Sequence, residues 1–558
     1  MERLFNFKYI VIAAIILVIV IATVVAIGNS DNNQSKISYE DAKTTMNALL
    51  SKSKIKTNNN VKVDISSDNL GEVALPDISK YPLSVEGHGE INIEMFSSTE
   101  KSSKGTDGWL NEVAQSFNNS NIKINGKSVS ISVRPIASGL AMDYLTTGKY
   151  IPDAFTPSNT LWIDMLDSKG LNLTKIEDSL IGNTAGFLLK EDKYNQIQEK
   201  YGEVNLETIL KANQELGITI GYTNPYSSST GLNMLVNMLY TFDNQNPLSE
   251  TAIKNLNELQ KNSPPVALVT AQMRESAAAG LIDVMTMEYQ AYINEPKLNS
   301  YKYVPMGVRH DSPLYATKQL SEEQINGLKE FVKYCKNKQS QDLGTKYGFN
   351  AYSDYKSQDL GLTGSQLYSA QSIWKTNKSG GRPVIAVFVT DVSGSMEGTP
   401  ITSLRNGLVG ASQYIDDTNY IGLVSYANEV TIELPVDKFS GQQRAKFNGA
   451  VKSLSAGGST NTYTAVLQAL KMIDDKKQEV PDARAVIFLL SDGDQNVGYS
   501  LSKIRSVIEG MDIPIHCIGY NGGSKELGEV SKINEASNID ADVQDIAYQL
   551  KTIFSGEL

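Results

Sequence analysis

Acidic and hydroxyl side chains recur in three short segments toward the C-terminal end of the chain. They are Asp391, Ser393 and Ser395 in the first segment, Thr460 in the second and Asp492 in the third. Carboxylate and hydroxyl oxygens are the ligands that a hard divalent cation prefers, and two aspartates would balance its charge. We therefore expect Mg²⁺ at this set, with Mn²⁺ or Ca²⁺ as alternatives. The hydroxyls would add only neutral oxygens, which leaves one coordination position open to a carboxylate from another molecule.

Two buried strands and one helix are predicted to position these segments. Pro383–Thr390 and Ala485–Leu490 are rich in apolar residues, many of them β-branched, as is typical of central strands in a parallel sheet. A helix is predicted at Tyr463–Ile473, soon after the second segment. Ligands collect at the carboxyl ends of strands in open parallel sheets, so the segments are expected to meet at one edge. The alternative is that they are ordinary turns between strands and helices.

The three segments read Asp391-Val-Ser-Gly-Ser395, Gly457-Gly-Ser-Thr460 and Leu490-Ser-Asp492-Gly. In this order they resemble the metal-binding motifs of the von Willebrand factor A (VWA) family, in a domain expected at 382–558. The resemblance implies a Rossmann-like α/β domain with a metal-ion-dependent adhesion site, which an aspartate or glutamate of a protein partner completes. It also implies a C-terminal helix that slides in members that switch. An apolar stripe at Ile546, Leu550 and Ile553 would pack that helix on the sheet.

Hydroxyl-rich segments also follow predicted strands in the middle of the chain. We predict that they line a ligand-binding cleft together with one acidic residue, and the candidates are Ser97, Ser98, Ser158, Asn159, Ser228, Ser229, Thr230 and Glu288. Hydroxyls ahead of a helix N-terminus can form an anion site, since free N–H groups and the helix dipole point at the ligand. The serines could instead only cap helices, and Glu288 could be a hydrogen-bonding residue of a hinge.

Strands and helices alternate between about residues 88 and 350, which indicates βα units around a mostly parallel sheet. Pro152-Asp-Ala154 and Asn224-Pro-Tyr-Ser-Ser-Ser-Thr-Gly231 resemble segments of bacterial extracellular solute-binding proteins, particularly the oxyanion-binding type. The resemblance implies a two-lobed, periplasmic-binding-protein-like α/β domain at 88–350 whose cleft holds a small solute or oxyanion. It also implies that Gly280–Tyr289 contains the second crossover between the lobes.

An uncharged apolar run at residues 9–28 predicts how the protein is held in the cell. A helix of this length spans about 30 Å, the thickness of a bilayer core. Arg3 and Lys8 precede the run, so the positive-inside rule keeps residues 1–8 in the cytoplasm and the bulk of the chain outside the cell. A cleaved signal peptide is the alternative. We predict an uncleaved single-pass transmembrane anchor at 9–28, a stalk at 29–87 and a linker at 351–381.

The composition excludes several other functions. The net charge of −11 argues against nucleic-acid binding, which needs a basic surface. Cys335 and Cys517 are far apart, and the three histidines are isolated from one another, so disulfide scaffolds and zinc motifs are excluded. Neither a nucleophile elbow nor a phosphate-binding loop occurs in the sequence. We therefore predict that the protein is not an enzyme.

These patterns together predict a non-enzymatic binding protein of the cell membrane. The VWA domain would be outermost, and the solute-binding-like domain would lie between it and the membrane. The alternative is a solute-binding or sensing component linked to a transporter, in which the VWA domain mediates assembly.

Overall fold

The computed structural model describes most of the chain beyond its N-terminal segment. The described residues are 37–64, 75–261, 273, 282–357, 359–493, 495–520, 525–534, 536, 538–541 and 546–558. The predicted cytoplasmic residues 1–8 and the predicted anchor at 9–28 lie outside these ranges. Within the ranges, no helix is both long enough and apolar enough to cross a membrane.

Helices and strands alternate along most of the described chain. The helices are α1 Tyr39–Leu50, α2 Thr99–Ser102, α3 Trp109–Asn119, α4 Ser138–Thr147, α5 Leu161–Ser168, α6 Glu191–Tyr201, α7 Leu206–Leu216, α8 Ser229–Phe242, α9 Glu250–Lys261, α10 Tyr289–Ile293, α11 Glu322–Cys335, α12 Lys338–Lys346, α13 Gly364–Asn377, α14 Thr399–Ala411, α15 Gly441–Ser453, α16 Thr462–Lys477, α17 Leu501–Met511, α18 Lys525–Ser531 and α19 Ile546–Glu557. The strands are β1 Ile55–Thr57, β2 Ile91–Ser97, β3 Lys123–Ile124, β4 Lys127–Pro135, β5 Ala154–Thr156, β6 Thr174–Glu177, β7 Ala185–Lys190, β8 Ile220–Gly221, β9 Val284–Glu288, β10 Tyr301–Pro305, β11 Leu314–Ala316, β12 Val384–Asp391, β13 Tyr420–Tyr426, β14 Val430–Lys438, β15 Arg484–Ser491, β16 Ile515–Tyr520 and β17 Asn538–Ala541. This mixed α/β order agrees with the fold class predicted from the sequence.

The first lobe of the two-lobed domain contains a six-stranded sheet in the order β3-β4-β2-β5-β11-β6. β2 pairs in parallel with both β4 and β5. Ile91, Ile93 and Met95 of β2 are buried on one face, because successive side chains of a strand point to opposite sides of the sheet. Trp109 and Phe117 of α3 are fully buried against the same face. The predicted strand and helix are thus packed on each other.

The second lobe contains a four-stranded sheet in the order β10-β7-β9-β8. The chain enters this lobe between β6 and β7 and returns to the first lobe between β10 and β11, which pairs with β5. The prediction that Gly280–Tyr289 contains the second crossover is therefore wrong, because residues 284–288 form β9 inside this sheet. An apolar run alone does not distinguish a buried strand from a buried crossover. The two-lobed architecture itself is confirmed.

Helix α13 belongs to the two-lobed domain, although 351–381 is predicted to be a linker. Thr363 begins the helix with a capping box that it forms with Gln366. Trp374 is fully buried, and its Nε1 donates a hydrogen bond to the Tyr222 hydroxyl at 2.7 Å. The linker prediction is thus wrong for residues 364–377, because their apolar side chains complete the core that α5, α8 and α9 share.

The C-terminal domain contains a seven-stranded sheet in the order β1-β14-β13-β12-β15-β16-β17, with helices on both faces. The central strand β12 pairs in parallel with β13 and β15, and each of its residues is buried. This Rossmann-like arrangement buries β12 on both faces, which explains why its sequence is a continuous apolar run. The last helix, α19, packs its predicted stripe on α14, and Phe554 contacts Phe388 and Phe488 at ring-centroid distances of 5.1 and 5.4 Å.

Residues 39–57 pack against the C-terminal domain instead of forming part of a stalk. Ala42, Met46 and Leu49 of α1 are buried against α16 and α17, and β1 extends the sheet by pairing in parallel with β14. The stalk predicted at 29–87 is therefore wrong for these residues, because a largely polar segment contains one short apolar face. Residues 39–57, which precede the two-lobed domain in the sequence, are thus part of the C-terminal domain. The predicted order, with the two-lobed domain nearest the N-terminal segment, is corrected accordingly.

Candidate metal centre and solute cleft

Asp391, the first of the predicted metal ligands, is the last residue of β12 and is fully buried. Its Oδ1 accepts a hydrogen bond from the Ser393 N–H at 2.8 Å, and its Oδ2 accepts one from the Ser491 hydroxyl at 2.7 Å. These two bonds fix the orientation of the carboxyl group. Burial raises the pKa of Asp391 above its ordinary value in spite of them, and the nearby charge of Asp492 adds to the rise.

The predicted ligands of the first and third segments form a continuous row of oxygen atoms. Ser393 Oγ lies 3.0 Å from Ser395 Oγ, and the Ser395 hydroxyl donates to Asp492 Oδ1 at 2.8 Å. Ser393 is buried, Ser395 is exposed and Asp492 is half-buried, so the row begins in the core at Ser393 and reaches the surface at Ser395. The oxygen ligands are therefore accessible to solvent from one side of the domain.

Thr460, the ligand predicted in the second segment, is held beside the others by backbone contacts. The Gly394 N–H donates to the Gly458 carbonyl oxygen at 2.9 Å, which joins the first and second segments. Gly458 has a φ of +90°, and a Cβ at this position would lie 3.1 Å from the Asn428 side chain, so the turn requires glycine. Asn496 Oδ1 accepts a hydrogen bond from the Thr460 N–H at 2.8 Å, which ties the second segment to the third.

The structure brings all the predicted metal ligands to the carboxyl edge of the parallel strands. Asp391, Ser393, Ser395 and Asp492 are connected by hydrogen bonds, and Thr460 is placed by its backbone. The groups that act on the Asp391 carboxyl include no cationic side chain of the described chain. Oxygen donors and carboxylates without a countercharge fit a hard divalent cation.

Two residues that orient these ligands were not predicted. Ser491 holds the Asp391 carboxylate, and Asn496 holds the Thr460 backbone. Ser491 directly precedes a predicted ligand, which is the only signal in the sequence that could have indicated it. Asn496 carries no such signal, because its contact joins two loops that are far apart in sequence.

The predicted ligand residues of the middle segments gather between the two lobes. They line a cleft of about 120 Å³, to which the first lobe contributes Ser98 and Ser158 and the second lobe contributes Ser228, Ser229 and Glu288. At roughly 10–15 Å³ for each water-sized volume, the cleft has room for several water molecules or one small solute. Glu100 and Asp107 also line it, so its surface combines hydroxyl groups with carboxylates.

Three of the predicted residues lie behind the cleft instead of on its surface. The Ser97 hydroxyl donates to a backbone carbonyl oxygen at 3.4 Å, Asn159 Oδ1 accepts from the N–H that begins α5 at 3.2 Å, and the Thr230 hydroxyl donates to Glu288. The alternative role in helix capping also applies to one lining residue, because Ser228 caps α8. The serine-rich segments therefore serve both to start helices and to line the cleft.

Ser229 connects the two lobes at the cleft. Its hydroxyl oxygen accepts a hydrogen bond from Trp162 Nε1 at 2.8 Å and lies 3.3 Å from Ser138 Oγ. Trp162 and Ser138 belong to helices that follow strands of the first lobe, whereas Ser229 begins α8 of the second. The lobes are thus in direct polar contact beside the cavity.

Glu288 is the last residue of β9 and is 3% exposed. Its Oε1 accepts a hydrogen bond from the Thr230 hydroxyl and lies 3.5 Å from His310 Nδ1. Its Oε2 has no hydrogen-bond partner among the described residues. Burial acts to raise the pKa of Glu288, but the interactions with His310 and Thr230 outweigh it and hold the pKa below its ordinary value. A charged carboxylate with one free oxygen therefore lines the cleft.

Lys101, a buried lysine beside the cleft, was not predicted. It is fully buried, and its Nζ donates to the Ser98 hydroxyl and to the Thr156 carbonyl oxygen, the latter at 3.0 Å. Its Nζ also lies 3.6 Å from Glu100 Oε1. Burial lowers the pKa of Lys101 to about 8, while Glu100 acts in the opposite direction. Lys101 thus joins the segments that follow β2 and β5.

Two family models match the chain in the order in which its domains occur. A model described as bacterial extracellular solute-binding protein matches residues 102–350. A model described as von Willebrand factor type A domain matches residues 386–555. The first match begins after residues 98–100 of the cleft and covers the other cleft residues, and the second covers every predicted metal ligand.

Curated proteins similar to this chain include inter-alpha-trypsin inhibitor heavy chains H3. The protein from Bos taurus is 29% identical over 155 residues, which cover 25% of this chain and 17% of that protein. The protein from Mesocricetus auratus is 30% identical over 154 residues, which also cover 25% of this chain and 17% of that protein. This chain therefore spans only a small part of the length of these relatives.

Solved structures similar to this chain include one for each domain type. The sulfate-binding protein SubI from Mycobacterium tuberculosis H37Rv is 15% identical with a TM-score of 0.35, and the match covers 47% of this chain and 86% of that one. A von Willebrand factor type A protein from Catenulispora acidiphila is 20% identical with a TM-score of 0.29, and the match covers 31% of this chain and 42% of that one. From the two family matches, we conclude that the chain contains an extracellular solute-binding domain followed by a von Willebrand factor A domain.

Proposed function

We propose that this protein is a non-enzymatic binding protein of the cell surface, held in the membrane by an uncleaved anchor at 9–28 with the bulk of the chain outside. Its VWA domain binds Mg²⁺, or else Mn²⁺ or Ca²⁺, and through the ion an aspartate or glutamate of a protein partner. Its solute-binding domain holds a small solute between the lobes. The row of oxygen ligands from Asp391 to Asp492, without a countercharge, is the observation that carries the proposal.

Asp391 and Asp492 together provide the negative charge that a divalent cation requires, and Ser393, Ser395 and Thr460 provide neutral oxygens. When bound, Mg²⁺ supplies an electrophilic coordination position that a carboxylate from a partner can occupy. Because the two aspartates only balance the ion, no excess negative charge remains to repel that third carboxylate. The exposure of Ser395 leaves this side of the site accessible to another protein.

The Asp391 carboxylate is held in position before any ion binds. The Ser393 N–H and the Ser491 hydroxyl each occupy one of its oxygens, so the side chain cannot rotate away without breaking a hydrogen bond. Groups around a metal site that orient its ligands in this way raise affinity for the metal. Ser491 is therefore expected to support metal binding without contacting the ion itself.

The charges around the cleft favour a solute that carries N–H or O–H groups. Glu288 Oε2 is buried and has no partner among the described residues, so a donor group of the solute would satisfy it. Glu100 and Asp107 add negative charge at the same surface. An oxyanion, the ligand predicted from the serine-rich segments, fits best in a protonated form whose O–H donates to Glu288.

A solute-sensing role linked to a transporter is the second candidate function, and the cleft between the lobes, lined by serines and carboxylates, favours it. The VWA domain would then mediate assembly with the other components. Mass spectrometry of small molecules released from the purified full chain distinguishes the candidates. A single retained solute with N–H or O–H groups would support sensing, whereas a cleft that is always empty would leave adhesion as the function.

Calorimetric titration of Mg²⁺ and Mn²⁺ into the full chain tests the metal centre. We expect Asp391→Ala to lose measurable metal affinity, because the neutral oxygens that remain cannot balance the charge. Asp437→Ala is the matched control, since Asp437 is an exposed aspartate on β14 of the same domain. Equal metal affinity in the unaltered chain and in both variants would contradict the proposed site.

A further inference from the structure

A second cavity lies between the two domains, away from the metal centre. The two-lobed domain contributes Met142 of α4, Tyr226 of the loop before α8, and Tyr368 of α13. The VWA domain contributes Tyr414 and, from α19, Tyr548. The cavity measures about 260 Å³, which is more than the cleft between the lobes provides. None of the ligands proposed above occupies it.

Two lysines, one from each domain, meet at this cavity. The Nζ atoms of Lys375 and Lys551 lie 5.5 and 5.6 Å from the ring centroid of Tyr414, and Lys551 Nζ is also 5.6 Å from that of Tyr548. Neither ammonium group forms an ion pair within the part of the chain that the structure describes. Burial lowers the pKa of Lys375, Lys551 acts in the same direction, and Asp416 opposes them.

Two ammonium groups that share one tyrosine ring repel each other, and an anion placed between them would remove that repulsion. Their contact with the ring faces of Tyr414 and Tyr548 compensates only part of the cost of partial burial. The acidic residue of the cavity, Asp143, is itself engaged, because its Oδ2 accepts a hydrogen bond from the Tyr548 hydroxyl at 3.3 Å. The lysine side of the cavity therefore offers two charged donors to a ligand.

The remaining wall is formed largely by flat apolar surfaces. Tyr226 and Tyr368 face the cavity together with the Met142 side chain. Aromatic rings bind other rings in offset-stacked or edge-to-face arrangements, and methionine sulfur makes favourable contacts with aromatic groups. A ligand that matches this cavity thus has an acidic group at one end and a ring at the other.

We propose that the cavity between the domains binds a small aromatic carboxylate, whose acidic group lies between Lys375 and Lys551 and whose ring packs against the tyrosines. Such a ligand contacts both domains at once. Ser227 borders this cavity and also the solute cleft, so the two sites share part of one wall. The proposal concerns a site separate from both the metal centre and the solute cleft, and it does not depend on their occupants.

Fluorine NMR of the full chain with para-fluorobenzoate tests this proposal, with para-fluorobenzamide as the neutral analogue of the same shape. We expect the signal of the carboxylate, and not that of the amide, to broaden when protein is added. In the double variant Lys375→Gln, Lys551→Gln the dissociation constant should rise about tenfold or more, because two charge-assisted hydrogen bonds are lost. Lys338→Gln, at an exposed lysine of α12, is the matched control and should bind as the unaltered chain does.

A second double variant, Lys375→Arg, Lys551→Arg, keeps both charges and should retain binding. It also covers the case in which the glutamine variant does not fold, which circular dichroism would show. Equal broadening of the carboxylate and the amide, no broadening of either, or full binding in a folded glutamine variant would overturn the proposal. Displacement of para-fluorobenzoate by inorganic phosphate at equal concentration would also overturn it, since the site would then recognise charge without the ring.

Discussion

The metal centre and the solute cleft are both built from serines that follow strands, but their charges are arranged in different ways. At the metal centre, Asp391 and Asp492 are close together, and no cationic side chain acts on the buried one. At the cleft, Glu288 lies near His310, and Glu100 lies near Lys101. We therefore expect the first site to bind a cation from outside the chain, whereas the second already has a lysine beside one of its carboxylates. On this comparison, the same residue types are expected to bind different ligands according to which charges the fold places behind them.

Addition of Mg²⁺ is the first way to distinguish the two sites experimentally, and it should have the largest effect on stability. We expect saturating Mg²⁺ to stabilise the full chain by about 2.7 kcal/mol at a hundredfold excess over Kd. Asp391→Asn should abolish this gain, because one of the two required charges is lost. Thermal unfolding with and without Mg²⁺ measures the difference, and Asp437→Asn is the control. A gain of the same size in Asp391→Asn would show that the ion binds elsewhere.

Lys101→Met should destabilise the two-lobed domain without altering metal affinity. The variant removes the donor to the Ser98 hydroxyl and one of two donors to the Thr156 carbonyl oxygen, which also accepts from the Ser98 N–H at 3.2 Å. We expect a loss of about 2 kcal/mol in the free energy of unfolding. Chemical denaturation followed by fluorescence measures it. Lys104→Met is a nearby control, because Lys104 is exposed. An unchanged free energy of unfolding would mean that Lys101 does not join the two segments.

Lys101 also predicts a pH dependence. Its pKa is about 8 in the folded chain and 10.5 as the ordinary value, so the unfolded state binds more protons between these two values. The free energy of unfolding should therefore rise as the pH increases from 8 to 10.5. Subtracting the profile of Lys101→Met isolates this contribution from those of other groups. A difference that stays constant over this range would contradict the lowered pKa.

Glu288→Gln should have a smaller effect, and the pH dependence of this group has the same sign as that of Lys101 but lies at acidic pH. The folded pKa of Glu288 lies below its ordinary value of 4.5, so the group stabilises the fold at neutral pH and this contribution is lost as the pH falls below 4.5. We expect about 1 kcal/mol at neutral pH from the weakened contacts with Thr230 and His310. Urea denaturation at pH values on both sides of 4.5 measures it. Metal affinity should not change, and a change would mean that the two sites are coupled.

Tyr39→Phe should have the smallest effect and should be confined to the VWA domain. The Tyr39 hydroxyl donates to Asp474, which is buried and also pairs with Lys43 at 3.2 Å. Because the ion pair remains, we expect a loss of no more than about 1 kcal/mol in the free energy of unfolding. Hydrogen exchange should show faster exchange in α1 and an unchanged two-lobed domain. Equal acceleration in both domains would contradict the packing described here.

The sequence predicted the VWA domain in more detail than the two-lobed domain, for physical reasons. β12 and β15 are buried on both faces, so their positions appear as continuous apolar runs next to the metal ligands. The strand β9 has a similar apolar pattern, but that pattern also fits a crossover, and the prediction for Gly280–Tyr289 was wrong. In α1 the buried face contains only a few apolar residues among polar ones, so the helix was included in a stalk.

The charged residues of the cleft show a different limit of sequence analysis. Glu288 was predicted as a ligand, or else as a hydrogen-bonding residue of a hinge, because the segment Gly280–Tyr289 that contains it resembles a crossover between lobes. Lys101 was missed, because a single lysine among serines gives no periodic signal, and its burial results from carbonyl groups of distant loops. The five metal ligands remain predictions until metal binding is measured, although the fold brings them together.

The packing of α1 and β1 on the VWA domain determines how the molecule would carry mechanical load. If the N-terminal segment is fixed in a membrane and a partner pulls at the carboxyl edge of β12, the tension passes through β12, across the sheet to β14, and into β1 and α1. In the sequence, the two-lobed domain lies between residue 75 and β12, so it is outside the part of the molecule that carries this tension. Its cleft would therefore keep its geometry while the VWA domain is under tension.

The same packing determines which elements would detach first under tension. β1 is three residues long and is held to β14 by a short parallel ladder, together with the apolar face of α1. Once these elements detach, the tension would act on the chain that follows them and then on the two-lobed domain. The extension of a single molecule under force would thus increase in two steps, a short one as residues 39–57 detach and a longer one as the two-lobed domain unfolds.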